Sequence, residues 1–238
     1  MDKNMEEKII TVANYIVDNN TTNIKISGLN TSTTYYCKIR SYKINKNEKI
    51  YGDYSAVVSA KPTLLKPTVK TEVSSYNSNR ISWNEISGAS GYAVYASTSK
   101  DGTYTLKKTI SGKSNVSYLD KNLNTNTTYY YKVRAYRIVG TKKVYSNYSS
   151  IVSVKPVLSK ISLTVSSTTL KWNKILGASG YEVYSSTTAN GTYKLKKKIT
   201  TSSTISYIDS NLVSGKTYYY KVRPYRNING KAVYGSYS

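Results

Sequence analysis

Apolar and polar residues alternate along most of the chain. In YYYKVRAY (129–136), Tyr129, Tyr131, Val133 and Ala135 fall on one side of an extended segment. Tyr130, Lys132, Arg134 and Tyr136 fall on the other. In GYAVYAS (91–97), Tyr92 and Val94 oppose Ala93 and Tyr95. A period of two is the strand period, and β-branched and aromatic residues fill these runs. Turn-forming clusters punctuate them: SGASG, KDG, ANG and NING. Short strands at this spacing predict all-β, antiparallel sandwiches. One segment is ambiguous. In MEEKIITVANYIVD (5–18), Ile9, Ala13 and Ile16 share a helical face, whereas alignment with later segments favours strand.

The strand pattern repeats. TTYYYKVRAYR (127–137) recurs as KTYYYKVRPYR (216–226) and as TTYYCKIRSYK (33–43). Trp83 matches Trp172 at an offset of 89, which holds without a gap from Tyr129 to Tyr218 and from Tyr145 to Tyr234. Upstream, Tyr35 and Tyr51 match Tyr129 and Tyr145 at an offset of 94. Such a period suits one small domain per repeat. Boundaries fall at AKPTLLKP (60–67) and VKPVLSK (154–160), short semi-stiff linkers that hold three of the four prolines. The expected organisation is a partial unit over 1–62 with C-terminal strands only, a complete domain over 65–156, and a domain over 157–238 lacking its last strand. The first unit has no counterpart of RISW or GYAVY. Two explanations stay open: a piece of a longer protein, or a true start at Met1 with an imperfect first unit.

Charge changes the picture next. Lys+Arg number 35 against 12 Asp+Glu, a formal net charge of +23. That field favours polyanions such as nucleic acid, acidic wall polymers or anionic lipid. Compositional drift toward Lys, Asn, Ile and Tyr accounts for the same numbers. No run of about 18 apolar residues is present, so no membrane-spanning helix is expected. The opening MDKNMEEKII does not read as a signal peptide.

Catalytic chemistry finds little support. Histidine is absent and Cys37 is the lone cysteine, which excludes a His-based triad and an intrachain disulfide. Cys37 stands where the later repeats have Tyr131 and Tyr220, so it reads as a small core filler. Glu85 becomes Lys174 and Asp101 becomes Asn190, so no acid pair recurs. Asp120 and Asp209 do recur, and a turn-capping role accounts for them. GASG precedes a strand, so it is no phosphate loop. Asn126 and Asn147 match a glycan acceptor pattern that matters only in a eukaryotic secretory route. No catalytic, metal or cofactor-binding residue is assigned, and no cofactor is expected.

Several residues together resemble a known family: Trp83 in an early strand, GYAVY in the next, and Leu123 six residues before Tyr129 in LNTNTTYYYKVRAY. The chain resembles tandem fibronectin type III domains, in the version found in surface and secreted proteins of Gram-positive bacteria, clostridia in particular. The resemblance implies that Trp83 and Trp172 fill the core on strand B and that Tyr92 and Tyr181 lie on strand C. It also implies a tyrosine corner at Leu29/Tyr35, Leu123/Tyr129 and Leu212/Tyr218, where the phenol caps an upstream backbone group. The first unit departs from the pattern in having no Trp, and the last would expose a sheet edge.

The outward residues of these strands are the candidate binding surface: Tyr95, Tyr130, Lys132, Arg134 and Tyr136, with Tyr184, Tyr219, Lys221, Arg223 and Tyr225 in the last unit. A solvated sheet face, with cationic stems covering tyrosine rings, explains them equally. Lysines such as Lys107, Lys108, Lys142 and Lys143 are scattered rather than concentrated, which disfavours nucleic acid. The expectation is a non-catalytic extracellular spacer and interaction module that contacts anionic cell-wall polymers or glycans, beside other domains of a longer parent protein. The competing expectation is a set of accessory domains, glycan-binding among the options, of an extracellular hydrolase whose catalytic domain lies elsewhere.

Overall fold

The computed structural model describes residues 20–238. The segment 5–18, ambiguous between strand and helix, lies outside them. The described residues form 19 β-strands in two compact units, which divide between Pro62 and Thr63.

The first unit holds β1 (Tyr35–Cys37), β2 (Arg40–Asn45), β3 (Glu48–Tyr54) and β4 (Val58–Ala60). β2 and β3 form a hairpin, turned at Lys46 and Asn47 with φ of 47° and 71°. Two consecutive left-handed residues match the right-handed twist of the flanking strands. β1 pairs with β4. Most side chains here are exposed, Cys37 among them. The expectation of a core filler therefore fails. In the middle sandwich a second sheet covers the counterpart, Tyr131; among the described residues of the first unit there is no such sheet.

The second unit contains two β-sandwiches. The middle one runs β5 (Val69–Ser75), β6 (Ser78–Trp83), β7 (Gly91–Ser97), β8 (Thr105–Ser111), β9 (Ser117–Asp120), β10 (Tyr129–Val139), β11 (Lys142–Tyr145) and β12 (Val152–Val154). One sheet has the order β5-β6-β9; the other has β11-β10-β7-β8, with β12 also on β10. The last sandwich runs β13 (Leu163–Ser166), β14 (Thr169–Trp172), β15 (Gly180–Ser186), β16 (Lys194–Ile199), β17 (Ser206–Ile208), β18 (Tyr219–Ile228) and β19 (Lys231–Tyr234). Its sheets are β13-β14-β17 and β16-β15-β18-β19. This is the immunoglobulin-like, fibronectin type III arrangement of antiparallel strands, in tandem.

Between β11 and β12 the chain leaves the β10 ladder, and two serine side chains continue it. Ala135 N donates to Ser146 Oγ and Val133 N to Ser149 Oγ, both at 3.0 Å. In the last sandwich Val222 N donates to Ser238 Oγ at 3.1 Å. In the last sandwich β19 pairs with β18 through four residues, as β11 does with β10. Only the β12 pairing has no counterpart.

Each sandwich closes on its own apolar cluster. Trp83 packs at a steep tilt against Tyr92 with ring centroids 5.3 Å apart, and Trp172 against Tyr181 at 5.4 Å. Burying a side chain of this size is worth about 2–3 kcal/mol. At the strand crossing, Asn30 N donates to Tyr35 Oη at 2.8 Å, Asn124 N to Tyr129 Oη at 3.0 Å and Val213 N to Tyr218 Oη at 3.2 Å. The corner phenol thus caps a backbone amide in all three repeats.

Asp120 and Asp209 do more than cap turns. Asp120 is buried and accepts from Tyr131 Oη at 3.0 Å, with Lys107 Nζ at 3.2 Å. Asp209 accepts from Tyr220 Oη at 3.0 Å, with Lys196 Nζ at 3.2 Å, and takes the Asn211 amide at 3.4 Å as the turn role requires. A buried carboxylate is tolerable only when so partnered. Each triad ties one sheet to the other. Burial and the neighbouring carboxylate both push the Tyr131 and Tyr220 phenols well above their usual range.

A tyrosine ring of the middle sandwich reaches the last one. Tyr76, in the turn after β5, packs against the apolar cluster of the last sandwich. Arg226 stacks on it at 4.6 Å and donates to Gly177 O at 2.8 Å. Gly177 has φ +81°, and a Cβ there would lie 2.4 Å from the Tyr76 ring. Glycine is required twice, for conformation and for space. Tyr76→Ala is expected to cost the last sandwich about 1–2 kcal/mol, read as an earlier thermal transition by circular dichroism. Gly177→Ala should lower it further. Unchanged melting in both variants would show that the joint adds no stability.

Candidate cation–tyrosine face

The outward face of the larger sheet is a ladder of cations interleaved with tyrosine rings. On β10, Lys132 and Arg134 point outward from a strand whose alternate residues, Tyr131, Val133 and Ala135, fill the core. Lys132 Nζ sits 4.4 Å from the Tyr104 ring and 4.2 Å from the Tyr148 ring. The Arg134 guanidinium lies 3.7 Å from Tyr145, 4.8 Å from Tyr148 and 5.2 Å from Tyr95. It also donates to Tyr95 Oη at 2.6 Å. Tyr95 meets Tyr148 edge-on at 5.3 Å.

The last sandwich repeats the stack. Lys221 lies 4.4 Å from Tyr193 and 4.2 Å from Tyr237, and Arg223 lies 3.8 Å from Tyr234 and 5.1 Å from Tyr237. Tyr184 is the counterpart of Tyr95 and meets Tyr237 at 5.5 Å. In the first unit Arg40 lies 3.7 Å from Tyr51 and 4.6 Å from Tyr54, with Lys38 at 3.9 Å from Tyr54. Each such contact contributes about 0.5–2 kcal/mol, more where water is excluded.

Of the residues expected on this face, Tyr95, Lys132, Arg134, Tyr184, Lys221 and Arg223 come together in the ladder. Tyr130 and Tyr219 stand at the start of their strands, before the first rung, Tyr219 being 38% exposed. Tyr136 and Tyr225 are corrections. Both are only 2% exposed, although strict alternation places them outward. Each lies across the strand from a glycine, Gly91 and Gly180 respectively. A Cβ on Gly91 would come within 2.6 Å of the Tyr136 phenol oxygen, and on Gly180 within 2.8 Å of that of Tyr225. The ring lies flat in the space that the glycine leaves and donates to the Ile110 or Ile199 carbonyl. Tyr145 and Tyr234 then cover it, at 6.0 Å and 6.2 Å.

Sequence reasoning missed half of the ladder: Tyr104, Tyr145 and Tyr148, with Tyr193, Tyr234 and Tyr237. A signal for them existed. YSNYS, YGSYS and YGDYS share one spacing, tyrosine–serine pairs three residues after a first tyrosine. In the middle and last sandwiches, the serine after the second tyrosine is the ladder-continuing residue of the strand.

Glu182 was also missed as a member of the face. It is 4% exposed and accepts from Arg223 Nε at 3.0 Å, Arg223 Nη2 at 2.8 Å and Tyr184 Oη at 2.7 Å. Lys198 Nζ lies at 3.8 Å and the Tyr234 phenol at 3.3 Å. Burial by itself raises the Glu182 pKa; the Tyr184 phenol and the Arg223 guanidinium outweigh it and hold the carboxyl below its usual range. Burial and the Glu182 carboxylate push the Tyr184 phenol strongly up. Among the described residues no cluster of three or more His, Cys, Asp or Glu side chains is arranged to hold a metal ion.

No family model matches the chain. A curated relative, Exoglucanase B of Cellulomonas fimi, is 25% identical over 232 aligned residues. The match covers 85% of this chain and 20% of the exoglucanase, so the chain spans about a fifth of that relative's length. Among solved structures, the chain is similar to a two-domain fibronectin type III segment of chicken tenascin: 17% identity, TM-score 0.42, 71% of this chain and 97% of that one. It is also similar to the FN1–FN3 domains of chicken CNTN1: 17% identity, TM-score 0.35, 87% of this chain and 74% of that one.

The Glu182 pairing sets a pH dependence. A carboxyl whose folded pKa lies below its unfolded value, about 4.3, stabilises the fold fully above that value. The contribution is lost as pH falls through the depressed folded pKa. Glu182→Gln is therefore expected to flatten the decline in stability below about pH 4, and Glu182→Ala to cost about 3 kcal/mol at neutral pH. Urea titrations across pH check both. Equal acid sensitivity in the parent and the Gln variant would show that the pairing contributes nothing.

Proposed function

We propose that the chain is a non-catalytic extracellular spacer and interaction module of a bacterial surface or secreted protein. Its cationic faces adhere weakly to anionic cell-wall polymers. The observation that supports this reading is how the acids are used. Asp120, Asp209 and Glu182 are buried in internal pairs, so they do little to neutralise the outside. Exposed lysines remain in excess, as along β16, where Lys194 and Lys197 stand beside the paired Lys196 and Lys198. Many shallow contacts of this kind sum to useful retention without a pocket. No helix among the described residues is long and apolar enough to cross a membrane.

A second reading has its own support in the exoglucanase relative: the sandwiches are accessory domains of an extracellular hydrolase, glycan binding among their roles. Exposed tyrosine faces suit sugar stacking, though Tyr95 and Tyr184 are already engaged by Arg134 and Arg223. A catalytic domain in the same reading frame would favour this reading; further repeats or a wall-sorting segment would favour the spacer.

Screening separates the electrostatic contact from other modes of retention. Retention on purified bacterial cell walls is expected to fall at least tenfold between about 0.05 M and 0.5 M salt, because exposed charges are screened over a Debye length of about 10 Å at 0.1 M. Retention that is independent of salt would sink the polyanion reading.

A further inference from the structure

The two sandwiches carry the same arginine on the same tyrosine ladder but differ in what faces its guanidinium. In the last sandwich the residue across the strand from Arg223 is Glu182, and the residue across from Glu182 on the other side is Lys198. In the middle sandwich the equivalent pair is Ala93, across from Arg134, and Thr109. An acid and its extra cation are thus exchanged together for two neutral residues. The consequence falls on the arginine. Arg223 Nε has a carboxylate at 3.0 Å, whereas Arg134 Nε is buried with no acceptor among the described residues. A guanidinium N–H buried without an acceptor is costly and rare. Among the described residues no carboxylate forms an ion pair with Arg134 either. The side chains around it are Tyr95, Tyr145 and Tyr148, with Lys132 one rung away, and none is acidic.

We propose that Arg134 is an anion seat. It takes one oxyanion group of a ligand, a carboxylate or a phosphate oxygen, in the place that the Glu182 carboxylate takes beside Arg223. The seat rests on the reading of this face as a polyanion contact and sharpens it: recognition belongs to the middle sandwich, while the last carries its own internal anion. Arg134 Nε is closed off beneath the rings and Nη2 is on Tyr95, so seating the anion requires the Tyr145 and Tyr148 rings to part; the planar fork so uncovered matches the geometry of both oxyanions. Lys132, on the neighbouring rung, supplies a second charge for the next anionic group along a polymer.

The test reads Arg134 directly. The full chain, labelled with ¹⁵N-arginine, is titrated with inorganic phosphate and separately with acetate, at constant ionic strength in chloride. The Arg134 Nε–Hε resonance should shift saturably with at least one of them, and that of Arg223 should not. A response to phosphate alone identifies phosphodiester-type ligands and a response to acetate alone carboxylate-type ligands; either supports the seat. The double variant Ala93→Glu, Thr109→Lys installs the partners of the last sandwich. It should melt higher than the parent and lose the titration by at least tenfold. Glu182→Ala should make Arg223 respond. If Arg134 is as silent as Arg223 toward both anions, or if the double variant titrates like the parent, the seat is wrong. Salt-sensitive retention on cell walls is measured in parallel: its persistence in the double variant overturns the seat alone, and its absence in the parent overturns the wider reading.

Discussion

The chain has 27 tyrosines and no phenylalanine, so nearly every aromatic ring it buries brings a hydroxyl that must find a partner. Much of the architecture answers that requirement. Tyr92 takes the Ile86 amide and donates to the Lys113 carbonyl, which fixes the loop before its strand and the loop after the next. Tyr131 reaches across the sandwich to Asp120, and the buried Asp120 in turn requires Lys107. Tyr129 closes the strand crossing, and Tyr136 reaches the Ile110 carbonyl past a glycine. A phenylalanine core would leave these connections to chance; here each hydroxyl specifies which loop or sheet the ring must meet. The two indole nitrogens, Trp83 Nε1 and Trp172 Nε1, are buried without an acceptor among the described residues.

The same requirement separates what was legible in the sequence from what was not. Alternation in YYYKVRAY identified the strand and its inner face correctly through Ala135. It failed one residue later, at Tyr136, because period-two reasoning treats every outward position alike and ignores what stands across the strand. Gly91 decides that position, and cross-strand register cannot be read from a single segment. The corner tyrosines were legible because Leu123 and Tyr129 sit close in sequence. The Tyr131–Asp120–Lys107 triad was not, since its members come from three strands and only the recurrence of Asp120 and Asp209 hinted at it.

On the candidate face, Lys132, Arg134 and Tyr95 were legible as outward residues of two neighbouring strands. Their partners Tyr145 and Tyr148 were not, because they lie where the chain leaves the ladder between β11 and β12 and alternation breaks down. Glu182 was not legible as part of the face, since its counterpart in the middle sandwich, Ala93, carries no acid. That absence is the informative part: a face duplicated by sequence repetition carries different charge in its two copies. Cys37 teaches the converse: its position matches Tyr131, yet it is exposed, with no covering sheet among the described residues of its unit.

The seat of Tyr76 on Gly177 has a consequence for how load passes along the chain. Linker residue Pro156 is buried, and its carbonyl takes the Asn126 amide at 2.7 Å, which pins the linker to the turn before β10 of the middle sandwich. Rotation of one sandwich about this linker must first lift the ring from beneath Arg226. Swivelling between the sandwiches therefore has to break this contact before it can proceed.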